Sequence, residues 1–490
     1  MALTKIRNRM IADAPAQVTD FGASTALADN TAAFQAALNT GLDVHIPPGD
    51  WKLAGPITIT TSGQNLTGAG GDCRLLSIST INDMIRVGNG TTEIREVTIS
   101  DIRFYATVVK SGGAAIRFRK AVRCHVETCM VSSPVDFQSL GGTKLWDGLV
   151  FEASADCKVD GCAMWGFGQD AIRLYGDESY NAEINITGGT WIAYASRYGV
   201  GCLGRFGGLR LDSGDISACW RNLCIDQSAT PGFPNREVFI SGQFSLDASG
   251  DANIWIGPNG VSTVECNGIW SASAGRTIIG PSSGNGEGIH IDPNNPGLVL
   301  RITGGKIFNN TGAGITMNGG KLFMQGVLVT NNGDGAGVSD HGFWMPAATG
   351  NSGPIQVTDC TFEANTGYDI RLDNQLNFSR VTDNVLRGSG VGTLTMTNAT
   401  SPDNIVARNI GYKTYMQGAG NIPAGQSSVV ISHGLVGLPS NIHVTPLDSI
   451  PEGDVFAISS VTTTTFTVFI SGSAVAARHF YWSARFGVQV

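Results

Sequence analysis

Asp226 closes LCID (223–226), and Asp292 closes GIHID, at the same place in a recurring apolar-alternating pattern. AIRLY (171–175), NIWIG (253–257) and GITMN (314–318) share it. Ile172/Leu174, Leu223/Ile225, Ile254/Ile256, Ile289/Ile291 and Ile315/Met317 alternate with polar or aromatic partners, as strands with one buried face do. Stacking such strands puts Asp226, Gly257 and Asp292 in one outward column, with Cys224, Trp255 and His290 in the next. At ~4.8 Å per step the two Asp backbones stand roughly 10 Å apart, and Gly257 leaves a hollow between them. Carboxylates ~6.5–9.5 Å apart suit inversion at a glycosidic carbon, one protonating the leaving oxygen and the other activating water. Glu265, Asp212 and Asp215 (the last two in LDSGD) and Glu183 are further carboxylate candidates. All also fit a plainer reading, as solvated residues or Asx turns at coil corners.

Aromatic residues mark the same stretch. Six of the nine Trp (146, 165, 191, 220, 255 and 270) lie between 146 and 270, with Tyr175, Tyr180, Tyr194 and Tyr198. Their rings stack on the apolar faces of sugars while their polar atoms find hydrogen-bond partners. Trp255 alternates outward between two isoleucines and is the best exposed candidate. Trp220, Tyr175, Arg173 and His290 complete the candidate substrate-binding set. Trp191, five residues after Ile186, takes the place of inward Met164, Ile307 and Phe362 and is expected to pack.

Other chemistries fit less well. No GxSxG elbow precedes a helix, and no His has a locally matched nucleophile, which weakens a Ser-His-Asp esterase. A lyase needs a basic or Tyr proton acceptor and help with a uronate carboxylate; Arg173, Arg210 and His290 are available for this. Cys124/Cys129 and Cys157/Cys162 share a spacing looser than most zinc sites, so small apolar rungs are expected rather than a metal site, and no cofactor is expected. With no CxxC pair and no apolar h-region at the N-terminus, the ten Cys are expected to be reduced thiols in a chain made in a cytoplasm. Net charge is −8, which opposes binding to a nucleic-acid backbone, and no apolar run is long enough to span a bilayer.

The elements that position these residues come from repetition. An apolar anchor stands about two residues before a turn residue at Val126, Val159, Ile186, Leu211, Ile240, Cys266, Ile302, Met324, Val357 and Val381, at intervals of 22–36 residues. Periods of this size mean a solenoid. Gly is 65 of 490, charged residues only 15%, and no helical pattern separates the strands. Together these predict an all-β chain built as a parallel β-helix over 61–412. Before it, 1–17 reads as a lead-in and 18–60 as a cap with one helix, capped by Asp29 or Asn30, burying Phe34, Ala37 and Leu38 and stopped at Gly41. After it, 413–421 reads as a linker and 422–490 as a small antiparallel β-sandwich, marginal for a lone core and open to support from neighbouring chains.

VTDFGA, DNTAAFQAALN, VHIPPGDWKL and ITITTSGQNLTGAGG resemble the start of the pectate-lyase-like β-helix of bacteriophage tailspikes and capsule depolymerases, and ALTKIRNRMI resembles their lead-in. NIPAGQSSVVISHGLVGLPSNIHVTPLD, TTTTFTVFISG and FYWSARF resemble a terminal domain of phage tail proteins. The resemblance covers roughly 1–75 and 404–490; between them only the coil rhythm matches. It implies a right-handed helix, a homotrimer, a place on a virion tail acting at the host surface, and binding and cleavage of a bacterial surface polysaccharide, capsule or O-antigen. It supplies no catalytic motif. The sequence lacks a long N-terminal virion-anchoring domain, which points to an adaptor or baseplate protein as partner. Endo-hydrolysis is the expected reaction, with a lyase or a non-catalytic receptor-binding fibre as the alternatives.

Overall fold

The computed structural model describes residues 14–133, 144–226, 237–258, 263–276, 284–335, 340–347, 352–373, 376, 378–388, 390–397, 403–449 and 455–487. Most of the lead-in, most of RTIIG and the side chain of Tyr180 lie outside them. The fold is a right-handed parallel β-helix. A full coil holds three short strands, as in Gly208–Asp212, Gly214–Ser217 and Arg221–Asp226. The three surfaces that such strands build are here faces A, B and C. Faces A and B form one 26-stranded sheet, and face C is a separate 13-stranded parallel sheet.

The expected anchors stack in register from Val126 to Val381, each buried and each on the next coil of face A. Their turn residues adopt left-handed backbone: Gly161 (φ 59°), Gly188 (68°), Ser213 (56°), Gly242 (65°), Asp359 (55°) and Asp383 (63°). Glycine tolerates this φ freely and Asp at modest cost, which accounts for the VDG, ITGG, ISG and VTD signatures. All ten Cys are buried as free thiols, and Cys129 and Cys162 sit on successive coils of the core. No helix among the described residues is long and apolar enough to cross a membrane.

A second internal ladder is polar. Asn222 and Asn253, near the starts of face C strands, and Asn310, Asn332 and Asn365, at coil corners, are buried. The Asn332 Oδ1 accepts from Asn310 Nδ2 at 2.8 Å, and Asn332 Nδ2 donates to Asn365 Oδ1 at 3.0 Å. Each amide both donates and accepts, so a column of identical residues satisfies itself.

The ends are closed differently. The helix Thr31–Leu38 buries Phe34, Ala37 and Leu38 as expected, while Asp29 Oδ1 accepts from the backbone of Thr31 and of Ala54. The Gln35 amide donates to Thr58 O at 3.0 Å and accepts from Thr58 N at 2.8 Å, taking the part of a missing strand. Stacking begins earlier than residue 61: Ala16–Gln17, Val44–Ile46, Gly49–Leu53 and Ile57–Ile59 already stand in the two long sheets.

At the other end, two three-stranded antiparallel sheets enclose Ile422, Phe466, Val468, Phe480 and Trp482. The stretch expected to be a linker is a strand, Tyr415–Ile422, paired along its length with Arg478–Arg485. Its two glycines read as linker residues but make room for rings. A Cβ on Gly418 would lie 3.0 Å from the Trp482 indole, and one on Gly420 2.6 Å from Phe480.

Substituting Asn332→Ala removes the acceptor of Asn310 and the donor to Asn365. The expected loss is about 1–3 kcal/mol for each buried group left unpaired. A lower denaturant midpoint checks this; an unchanged midpoint would show that the ladder carries no stability.

Candidate functional site

Face C holds the residues that the alternating strands singled out. Cys224, Trp255, His290 and Thr316 follow one another in register. Gly257 N donates to Ile225 O and Asp292 N to Ile256 O, so Asp226, Gly257 and Asp292 stand in the expected column. Tyr175, 45% exposed, lies two coils before Asp226 in that column.

The side chains change what the column offers. The Trp255 ring folds over the expected hollow: a Cβ on Gly257 would lie 2.5 Å from Trp255 Cη2 and 3.3 Å from Asp226 Oδ1. The Arg221 guanidinium lies 3.8 Å from the Trp255 ring centre and 4.2 Å from that of Trp220, while its Nε donates to Asp251 Oδ2 at 2.6 Å. A face of Trp255 is therefore taken by a cation–π contact. Cys224 stands outward in register yet is fully buried.

His290 is clamped at both nitrogens. Nδ1 meets Glu287 Oε2 and Nε2 meets Asp292 Oδ1 at 2.9 Å, while Thr316 donates to the other Glu287 oxygen at 2.7 Å. Burial alone would depress the imidazole, but the hydrogen bonds and charges of Asp292 and Glu287 outweigh it and push it up to about 10. Further along the face, Arg173 donates to Asp147 at 2.8 Å and Arg197 to Asp170. Burial is the main cause pushing Asp147 up to about 6, against the charge of Arg173.

Two of the four further carboxylate candidates, Glu265 and Asp212, lie on face A. Glu265 is on face A, between Phe239 and Arg301 in register, with Arg301 Nε at 3.7 Å. Asp212 ends a face A strand, with the Ser213 and Ser241 hydroxyls at 3.4 Å. Neither is on the face that carries Asp226 and Asp292.

Face B presents a different surface. Trp165 and Trp191 are half-buried on successive coils with ring centres 5.4 Å apart. Trp191 stands in register with Asp215, then Ser245, Trp270 and Lys306; beside it run Ala193, Ser217, Asp247, Ala272 and Phe308. Trp270 is 47% exposed and packs edge-on against Phe308 at 4.8 Å. An open cavity of about 610 Å³ lies alongside, lined by Gln243, Ser245, Ile269, Trp270 and Lys306.

No protein-family model matches the sequence, and no curated protein matches it. Solved structures do match in fold. The tailspike protein gp49 from Pseudomonas phage LKA1 superposes with a TM-score of 0.60 at 12% identity, covering 96% of this chain and 100% of that one. The tailspike of E. coli bacteriophage HK620, as a double mutant in complex with a pentasaccharide, gives 0.56 at 13% identity, covering 97% and 94%. Tailspike protein 3 of bacteriophage CBA120 gives 0.56 at 12% identity, covering 81% and 62%. The fold is that of the phage tailspikes. On a β-helix of this kind the outward side chains, not the scaffold, decide what is bound.

Trp191 was expected to pack inward, but Ile192 fills the place aligned with Met164. The corner after Ile186, with Gly188 and Gly189, is one residue longer than that after Val159, and a one-residue slip moves every side chain to the opposite face. Asp247 was missed as well. The visible signal was SLD (245–247), which repeats the outward-inward-outward rhythm of DIS (215–217).

The His290 clamp has a defined pH signature. Its imidazole is raised in the folded state, so its stabilisation is complete below about 6.5 and is lost as pH rises through about 10. The melting temperature of the wild type is expected to fall across that window more steeply than that of His290→Gln. Parallel pH curves would refute the clamp.

Proposed function

We propose that this chain is a phage tailspike that binds a bacterial surface polysaccharide and cleaves it by hydrolysis. The fold is shared with tailspikes, one of them bound to a pentasaccharide. The observation that carries the reading is face B, where half-exposed indoles bracket outward carboxylates at the fixed pitch of the coils. A polymer of rings stacks on such a row, and the carboxylates supply the proton transfers of hydrolysis.

The lyase reading loses support on face C. Both nitrogens of His290 are engaged, by Glu287 and Asp292, which push its imidazole up to about 10, and Arg173 is engaged with Asp147. A fibre that only adheres would use the rings and have no need of the acids between them.

The same reading includes a homotrimer on the virion tail, held to it through an adaptor or baseplate protein. Among the described residues the large apolar side chains more than 60% exposed are Phe378, Val391, Ile410, Val430, Val455 and Val475 toward the C-terminus, with Ile81 and Val109 in the early coils. Between 114 and 330 the exposed large apolar side chains, among the described residues, are Tyr175 at 45% and Trp270 at 47%. The larger group, toward the C-terminus, fits burial against identical chains.

Polysaccharide extracted from a susceptible host should be shortened to oligosaccharides without the ultraviolet absorbance of an unsaturated uronate. Intact polymer retained on the protein would mean an adhesin, and absorbance in the products a lyase. Light scattering at micromolar concentration should give three times the chain mass; a monomer would overturn the assembly.

A further inference from the structure

We infer that hydrolysis is carried out on face B by Asp215 as general acid and Asp247 as general base, not by the face C pair Asp226 and Asp292. The inference rests on the polysaccharide reading above and names the reacting groups of that same function.

The geometry is a two-by-two block on adjacent coils. Asp215 stands beside Ser245 and Ser217 beside Asp247, so the acids occupy opposite corners and the serines the other two. One coil step of ~4.8 Å and two residues along the strand, at ~3.3 Å each, separate the acid backbones by roughly 8 Å. Backbones at this spacing allow the carboxyl groups the ~6.5–9.5 Å that an inverting pair keeps for its water.

The surroundings differ at the two corners. Asp215 accepts from Ser217 Oγ at 2.9 Å, and Ser245 and the Trp191 indole also donate to it. Burial pushes its carboxyl above the ordinary range and the Asp247 charge adds to this, against those three hydrogen bonds. Asp247 is partly exposed, so its carboxylate reaches the surface although Oδ1 is shielded and makes no hydrogen bond. No Arg, Lys or His ion-pairs with either carboxylate among the described residues, in contrast to the clamped Asp292. Trp191 on one side and Trp270, with the 610 Å³ cavity, on the other supply stacking surfaces before and after the block.

The step balances with water as co-reactant. Protonated Asp215 gives its proton to the glycosidic oxygen as the bond from that oxygen to the anomeric carbon breaks. Asp247 takes a proton from a water whose oxygen bonds to that carbon from the opposite face. The products are a free hydroxyl on one fragment and an inverted hemiacetal on the other. The proton gained by Asp247 and that lost by Asp215 exchange with solvent.

The full-length protein, Asp215→Asn, Asp247→Asn, Asp226→Asn and Asp292→Asn are compared on a panel of purified capsular and O-antigen polysaccharides. Retention, release of reducing ends and the anomer of the nascent product by proton NMR are measured, with melting temperature as the control for folding. The wild type should bind and cleave one polymer with inversion. Asp215→Asn and Asp247→Asn should keep binding and melting temperature and lose about 10²–10⁴-fold in rate, while Asp226→Asn cleaves at the wild-type rate. Asp292→Asn should also cleave normally, with a changed melting temperature through His290. Should either face B variant lower the melting temperature, Trp270→Ala serves as the second probe of that face, expected to weaken retention. Binding and cleavage that survive in both face B variants overturn the assignment alone, as does a retained anomer. A wild type that binds but does not cleave overturns it too. Binding to no polysaccharide overturns the underlying reading with it.

Discussion

Backbone hydrogen bonds between coils hold every other feature in place. Each strand donates to the coil before it, as Gly257 N does to Ile225 O at 2.8 Å and Asp292 N to Ile256 O at 2.9 Å. The ladder fixes a pitch of ~4.8 Å, and with it the partner above and below every side chain. Inward positions must then be filled by residues that stack on their own kind. Phe118 and Phe151 do so face to face at 4.7 Å, the face A anchors do so as aliphatic rungs, and the asparagines do so as amides. Since the interior is satisfied coil by coil, outward positions are released from packing and can carry rows of chemistry along the axis.

Faces B and C use that freedom in different ways. On face C the buried carboxylates meet cations: Asp83 meets Arg117, Asp147 meets Arg173, Asp170 meets Arg197, Asp251 meets Arg221 and Glu287 meets His290. Removing one member of such a pair leaves an unbalanced charge in a poorly solvated place, which costs far more than the pair itself contributes. These groups are therefore tied to the fold. On face B Asp215 meets two hydroxyls and an indole, which orient the carboxylate without neutralising it, although elsewhere on that face Asp50 pairs with Arg74. A charge that is oriented but not balanced is free to exchange a proton.

Much of this was legible in the residues. The anchors from Val126 to Val381 fell in register because an apolar residue just ahead of a left-handed corner is a strong local signal. Phe34, Ala37 and Leu38 were legible because helical spacing has few alternatives. The column of Asp226, Gly257 and Asp292 was legible from alternation alone. What escaped depended on contacts made across coils. Asn310, Asn332 and Asn365 look like turn residues until they are stacked. Gly418 and Gly420 look like a linker until the rings of Trp482 and Phe480 lie against them. His290 looks like an open binding residue until Glu287 is found on its other nitrogen.

The corners explain why the position of a site is harder to read than the fold that carries it. A strand of five residues declares its alternation, but which half of the alternation faces out depends on how many residues the preceding corner consumes. After Val159 the chain takes five residues to reach the inward Met164; after Ile186 it takes six to reach Ile192, and the residue displaced outward is Trp191, beside Asp215. Corner length changes no core contact, because the inward ladder closes again at once, yet it selects the side chain that the outer surface receives. A β-helix can thus keep one core and exchange its surface chemistry by single-residue changes at the turns, where left-handed backbone already accommodates glycine, serine and aspartate. A scaffold whose stacking constrains the inward rungs and leaves the outer row open is consistent with a fold shared at 12% identity with the tailspike gp49 from Pseudomonas phage LKA1.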